Sequence, residues 1–143
     1  GTNLKGTANV FYSGWSYGVR FKDSTIDGSL YKIAHLYTPR VTTTMLSTGV
    51  LKVYFNFSSP NNLFMLPYTS NAGGKTSTIS YFAKPNEFVI TRFTHDNSAS
   101  IVLSSAIQYR WVLIPGGVFQ GMVNRKVDVN NFEAVKRELR IHD

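Results

Sequence analysis

The stretch Val50-Leu51-Lys52-Val53-Tyr54-Phe55-Asn56-Phe57 alternates apolar and polar side chains with a period of two. Successive side chains of an extended chain point to opposite faces, so Leu51, Val53, Phe55 and Phe57 share one face and Lys52, Tyr54 and Asn56 the other. This is the pattern of a half-buried β-strand, and Ser58-Ser59-Pro60-Asn61-Asn62 closes it with turn-forming residues.

Outward from that segment, β-branched and aromatic residues alternate with polar ones over 7–12, 29–35, 63–68, 76–83, 87–94 and 107–114, with Gly, Pro or Asn clusters between them. The segments 76–83 and 87–94 are separated only by Lys84-Pro85-Asn86 and read as a hairpin. Asn71-Ala72-Gly73-Gly74-Lys75 reads as a flexible tip. Strands following one another without long helices predict an all-β fold, an antiparallel sandwich or barrel of about seven to eight strands, with a jelly-roll-like sandwich the favoured form. Residues 41–46 are Thr-rich, which suits a strand, but Thr48-Gly49 resembles the end of a short helical turn, and a turn is expected there. A short C-terminal helix is predicted over 130–140. Asn130 or Asn131 can cap it, Glu133 suits its positive start, Phe132, Val135 and Leu139 share a face, and Lys136, Arg137 and Arg140 suit its negative end.

The 143 residues fit a single domain, with 1–6 as a flexible lead-in. Hydrophobic residues make up 43% of the chain, including ten Phe and eight Tyr, enough apolar surface for a core that needs no staples. Cysteine is absent, which excludes disulfides, thiolate metal sites and thiol nucleophiles within these residues. No apolar run approaches the roughly 18–20 residues that span a bilayer. The chain begins Gly1-Thr2-Asn3 and reads as a mature or trimmed form from which any export signal has been removed. A net charge of +7 invites a polyanion partner, yet the basic residues are scattered singly outside Arg125-Lys126 and the helix end, so nucleic acid is not the expected ligand.

Catalytic and metal motifs are sparse. No Gly-x-Ser-x-Gly turn occurs, and His35, His95 and His142 are far apart, with no spacing that places two imidazoles on one metal. His95-Asp96 sits in a polar segment and reads as an exposed loop. Asp23, Asp27, Glu87, Asp96 and Asp128 fall in predicted loops or strand ends. Asp23-Ser24-Thr25-Ile26-Asp27-Gly28 partly resembles a calcium loop but lacks the closing Glu. Pro115-Gly116-Gly117 lacks the Lys of a phosphate loop and reads as the exit turn of a buried strand. No catalytic residue, cofactor or metal ligand is therefore assigned. The aromatic run Phe11-Tyr12-Ser13-Gly14-Trp15-Ser16-Tyr17 is a candidate stacking platform, since Trp15 and Tyr17 share a face when extended. With Tyr54, on the polar face of its strand, Trp15 and Tyr17 are the candidate ligand-binding residues. Trp111 alternates with Tyr109 and Leu113 and reads as core.

Gly6-Thr7-Ala8-Asn9-Val10 followed by Tyr12-Ser13-Gly14-Trp15 resembles the opening of a group of secreted lipoproteins of Bacteroides-type bacteria. Gln108-Tyr109-Arg110-Trp111-Val112-Leu113-Ile114-Pro115-Gly116-Gly117 is similar to their F-R-Y-V-x-I-P-G-G stretch. Val129-Asn130-Asn131-Phe132-Glu133-Ala134-Val135 is similar to their W-N-N-Y-E-E-V segment, and 49–57 and 63–68 resemble two of their strands. The resemblance implies a cell-surface domain outside the cytoplasm, held by a lipidated cysteine upstream, often through a Gly-rich, collagen-like stalk. It carries no catalytic residues. Three functions are then expected in descending order: a non-enzymatic module binding a glycan or surface protein, a structural domain that forms homo-oligomers, and a small hydrolase built from distant strands.

Overall fold

The computed structural model describes residues 10–57, 59 and 61–117. Within them the chain runs β1 (Phe11–Tyr12), β2 (Ser16–Tyr17), β3 (Val19–Ile26), β4 (Ser29–Tyr37), α1 (Thr43–Thr48) and β5 (Val50–Asn56). It continues through β6 (Phe64–Met65), β7 (Tyr68–Ser70), a 3-10 turn (Ala72–Gly74), β8 (Ser77–Lys84), β9 (Glu87–Thr94) and β10 (Gln108–Ile114). One sheet has the order β1-β10-β5-β6, with β2 also on β10, and the other β3-β4-β9-β8-β7. All pairings are antiparallel, and the two sheets pack face to face as an all-β sandwich. β10 lies between β1 and β5 while β9 lies beside β4, a nested winding of the jelly-roll kind.

The inner layer is the predicted alternation put to use. Val53 and Phe55 of β5 and Tyr109 and Leu113 of β10 meet Ala34 and Leu36 of β4, Ile79 of β8, and Phe88 and Ile90 of β9. Full burial of such side chains contributes roughly 1.5–3 kcal/mol each. Trp111 packs against this cluster as expected. Between β2 and β3 the chain crosses from one sheet to the other at Gly18, where an added Cβ would lie 3.1 Å from the Ala34 Cβ and 3.6 Å from the Tyr109 ring. Glycine is required there by the close approach of both sheets.

Several elements depart from expectation. The predicted strand 63–68 is two strands in different sheets, β6 on β5 and β7 on β8, with Leu66 and Pro67 at the corner. Pro67 has no N–H to continue a ladder, and a chain that switches sheets makes the corner of a sandwich. Phe55, Phe57, Phe64 and Tyr68 fill that corner with ring centroids 5.2 to 6.2 Å apart. The turn expected near 41–46 is the short helix α1 over Thr43–Thr48, which ends at Thr48-Gly49 as that dipeptide suggests: Thr42 caps it by accepting from Met45 N at 3.2 Å, and Met45 enters the core. Gly49 follows it in an extended conformation, and glycine is needed there because a Cβ would lie 2.9 Å from the Ile114 carbonyl oxygen.

β3 is a strand where none was predicted. Its many polar and charged residues suit an edge strand, where they oppose further pairing, and a bulge between Val19 and Lys22 bends that edge further. Asp27 and Gly28, at φ 51° and 78°, form the two-residue turn to β4 that Asp-Gly favours. The Asp23–Gly28 stretch is thus strand and hairpin, with Asp23 paired to Lys32 Nζ at 2.9 Å. Of the predicted strand 7–12, residues 7–9 lie outside the described residues, as do the lead-in 1–6 and the helix 130–140.

The interior also holds a cation. Arg92 alternates with Ile90 and Phe88 on the inner face of β9, is 7% exposed, and donates from Nε to Ser77 Oγ at 3.0 Å and from Nη1 to the Val102 carbonyl at 3.1 Å. Burial lowers its pKa, while the nearby Tyr109 and Tyr68 phenols oppose that shift. Burial likewise pushes the Tyr109 phenol well above the usual tyrosine range, against the opposing pull of Arg92. The Tyr109 hydroxyl has no hydrogen-bond partner among the described residues.

Candidate functional site

Each sheet turns one face outward, and the two outer faces differ. On the β10 sheet, Arg110 stands opposite Tyr54, Gln108 between Asn56 and Tyr17, and Val112 between Lys52 and Tyr12. The Arg110 guanidinium lies 5.5 Å from the Tyr12 ring centroid and 6.0 Å from that of Trp15, within cation–π range. The candidate residues Trp15 and Tyr54 are therefore both gathered at one arginine. Tyr54, however, is only 1% exposed, and Asn56, Arg110, Val112 and Ile114 are buried with it. The half-buried reading of this strand is corrected: from Val53 to Asn56 both faces are closed to solvent, and Tyr54 is a packing residue rather than a stacking platform. Tyr17, beside Gln108 at the sheet edge, is 54% exposed, and Trp15 is half-buried.

On the β9 sheet the outer face is closed along β9 itself, where Val89 and Thr91 are buried beside Ile33 of β4, but it opens along β8, where Thr78 and Ser80 are half-buried and Phe82 and Lys84 exposed. Period-two alternation places Thr78, Ser80, Phe82 and Lys84 of β8 alongside Phe93, Thr91, Val89 and Glu87 of β9. Ile33 and His35 of β4 continue the same face beyond β9. A groove of about 300 Å³ crosses it, lined by Ile26, Tyr31, Thr78, Ser80, Phe82, Thr91 and Phe93 among others. Its volume is at the small end of ligand pockets, which run from about 300 Å³ upward. Thr91 and Ser80 lie in one cross-strand row at its middle, Phe82 stands 41% exposed toward one end, and Tyr31 and Phe93, with centroids 5.4 Å apart, stand at the other. Phe93 stacks on the His95 ring at 4.9 Å. A chain of polar contacts leads out from this end: Thr69 Oγ1 to Thr78 Oγ1 at 2.8 Å, and Thr78 Oγ1 to His95 Nε2 at 2.7 Å. An exposed ring and hydroxyls in one groove lined by no charged residue suit a ligand with apolar ring faces and many hydroxyls.

Beyond Phe82 the face becomes charged. Glu87 is reached by His35 Nδ1 at 2.6 Å, Arg20 Nη2 at 3.4 Å and Lys84 Nζ at 3.8 Å. At the opposite end Asp96 pairs with Lys75 Nζ at 3.2 Å. The Ser98 hydroxyl and backbone N–H hold the Asp96 carboxyl below its ordinary range, and Lys75 adds to this.

Two histidines thus carry different fragments of a catalytic triad. His35 has a carboxylate, whereas His95 has a hydroxyl, and their positions along β9 are separated by about 20 Å of strand rise. His95-Asp96 does form an exposed loop, in which His95 bonds to Thr78 and Asp96 to Ser98. Among the described residues no three His, Asp or Glu side chains gather where a metal ion could be held. At the exit of β10, a Cβ on Gly116 would lie 2.8 Å from the Thr48 carbonyl oxygen, so close packing against the end of α1 accounts for that glycine. No helix among the described residues is long and apolar enough to cross a membrane.

The groove residues Tyr31, Phe82 and Phe93 were not singled out by sequence. Alternation places Thr78, Ser80 and Phe82 on one face, but only packing decides that this face looks outward. No protein-family model matches the chain, nor does any curated protein or solved structure.

Proposed function

We propose that this domain is a non-catalytic, extracytoplasmic binding module whose ligand is a saccharide, held in the outer groove of the β9 sheet. The observation that carries the reading is the exposed Phe82 ring and the Tyr31–Phe93 pair flanking the half-buried Ser80 and Thr78 hydroxyls in an open, uncharged groove whose floor is the buried Thr91. A sugar ring offers an apolar face to an aromatic side chain and hydroxyls to Ser and Thr, so both halves of the groove have a use. Placement at a cell surface rests on the lipoprotein resemblance alone.

A glycan array followed by titration calorimetry tests this. Binding to at least one saccharide class is expected, weakened about tenfold by Phe82→Ala, as for a central aromatic contact. Absence of binding across the array, or binding that depends on Tyr17 and not on Phe82, overturns it.

A further inference from the structure

The charged end of the same face narrows the ligand class. Resting on the saccharide reading, we infer that the saccharide is acidic and that its carboxylate docks on Lys84 and Arg20, one strand-step beyond Phe82.

Three observations support this. Lys84 follows Phe82 at an interval of two on β8, so both project from the outer face about 7 Å apart along the strand. A ring lying on Phe82 therefore brings a substituent, or a neighbouring ring, within reach of the ammonium. The local charge is also unbalanced. Among the described residues Glu87 is the one carboxylate paired with two permanent cations, Arg20 and Lys84, and its shortest contact, at 2.6 Å, is with His35 instead. One positive charge is left over before His35 is counted. Finally, the two cations are available: Arg20 and Lys84 side chains are 63% and 53% exposed, and their contacts with Glu87, at 3.4 and 3.8 Å, are long for charge-assisted hydrogen bonds. A ligand carboxylate can recruit them while Glu87 keeps His35. Among the described residues the far end of the groove has no such surplus, since Lys75 and Asp96 balance one another.

The test uses the whole chain and matched probes: oligogalacturonate and hyaluronan oligosaccharides, each beside its carboxyl-reduced, neutral form. At least one acidic probe is expected to bind about tenfold more tightly than its reduced form, a typical gain for a charge-assisted contact. The double variant Arg20→Gln/Lys84→Gln is expected to remove that preference and flatten the salt dependence, while Lys75→Gln leaves both unchanged. Equal binding of acidic and reduced forms, still sensitive to Phe82→Ala, overturns the acidic ligand and leaves the saccharide reading standing. An equal loss with Lys75→Gln overturns it too, because attraction would then come from the overall +7 charge rather than this end of the groove. Binding of none of the four probes by a chain that binds other, neutral saccharides on the array likewise overturns it, whereas silence on probes and array together removes both readings.

Discussion

The β5–β10 pair and the β8–β9 pair are the central ladders of their sheets, and both follow the same alternation, yet they meet solvent differently. β5 and β10 are closed on both sides: Val53, Phe55 and Tyr109 face the core, while Tyr54, Arg110 and Val112 on the other face are just as buried. β9 is closed inside by Phe88 and Ile90 and outside at Val89 and Thr91, but β8, closed inside by Ile79, carries on its outer face a groove with an exposed Phe82. An aromatic residue at an outward position is therefore a packing element on one sheet and a candidate contact on the other. Surroundings, not residue type or period, make the difference.

The largest expected effect separates the two by stability. Tyr54→Ala should cost about 3–5 kcal/mol, as other buried aromatic truncations do, whereas Phe82→Ala should cost about 1 kcal/mol or less. Urea unfolding measures both, and equal losses would erase the contrast. Ligand binding is the next test, with signs reversed: Phe82→Ala weakens saccharide binding about tenfold in a chain that remains folded, while Trp15→Ala and Tyr17→Ala leave affinity within about twofold, a change of less than about 0.5 kcal/mol.

A smaller effect probes the sealed pair through Tyr109. Because burial raises its phenol pKa in the folded state, stability is fully present below the unfolded tyrosine value of about 10 and falls as pH rises above it. Tyr109→Phe should flatten that alkaline decline. Near neutral pH it should change stability by about 1 kcal/mol or less, since the hydroxyl removed has no partner among the described residues. A steeper alkaline decline in the variant would contradict the assignment. The smallest effect concerns the interior cation: Arg92→Met should be close to neutral or slightly stabilising by thermal melting, because the burial cost of the guanidinium offsets its bonds to Ser77 and Val102.

Strands whose apolar residues alternate cleanly are legible in the sequence. The hairpin of β8 and β9 falls within a residue of its predicted span, with Asn86 at φ 74° in the turn that Pro85-Asn86 forms. β3 was hidden because an edge strand needs one paired neighbour and tolerates charge, so Arg20, Lys22 and Asp23 masked it, although Asp27-Gly28 was a hairpin signal in plain view. Of the candidate site residues, Trp15 and Tyr54 do come together at Arg110, but on a face that excludes solvent around Tyr54 and Arg110.

Local chemistry alone determined that this chain is built of antiparallel strands, that it lacks thiol chemistry, and where most of its turns fall, since side-chain alternation, Gly, Pro and Asn act over a few residues. Which strands share a sheet, where the chain turns its corner at Pro67, and which outer face stays open were decided only in three dimensions. Those properties depend on contacts between residues distant in sequence. Phe82 and Tyr31 are 51 positions apart and line one groove because β9 runs between their strands.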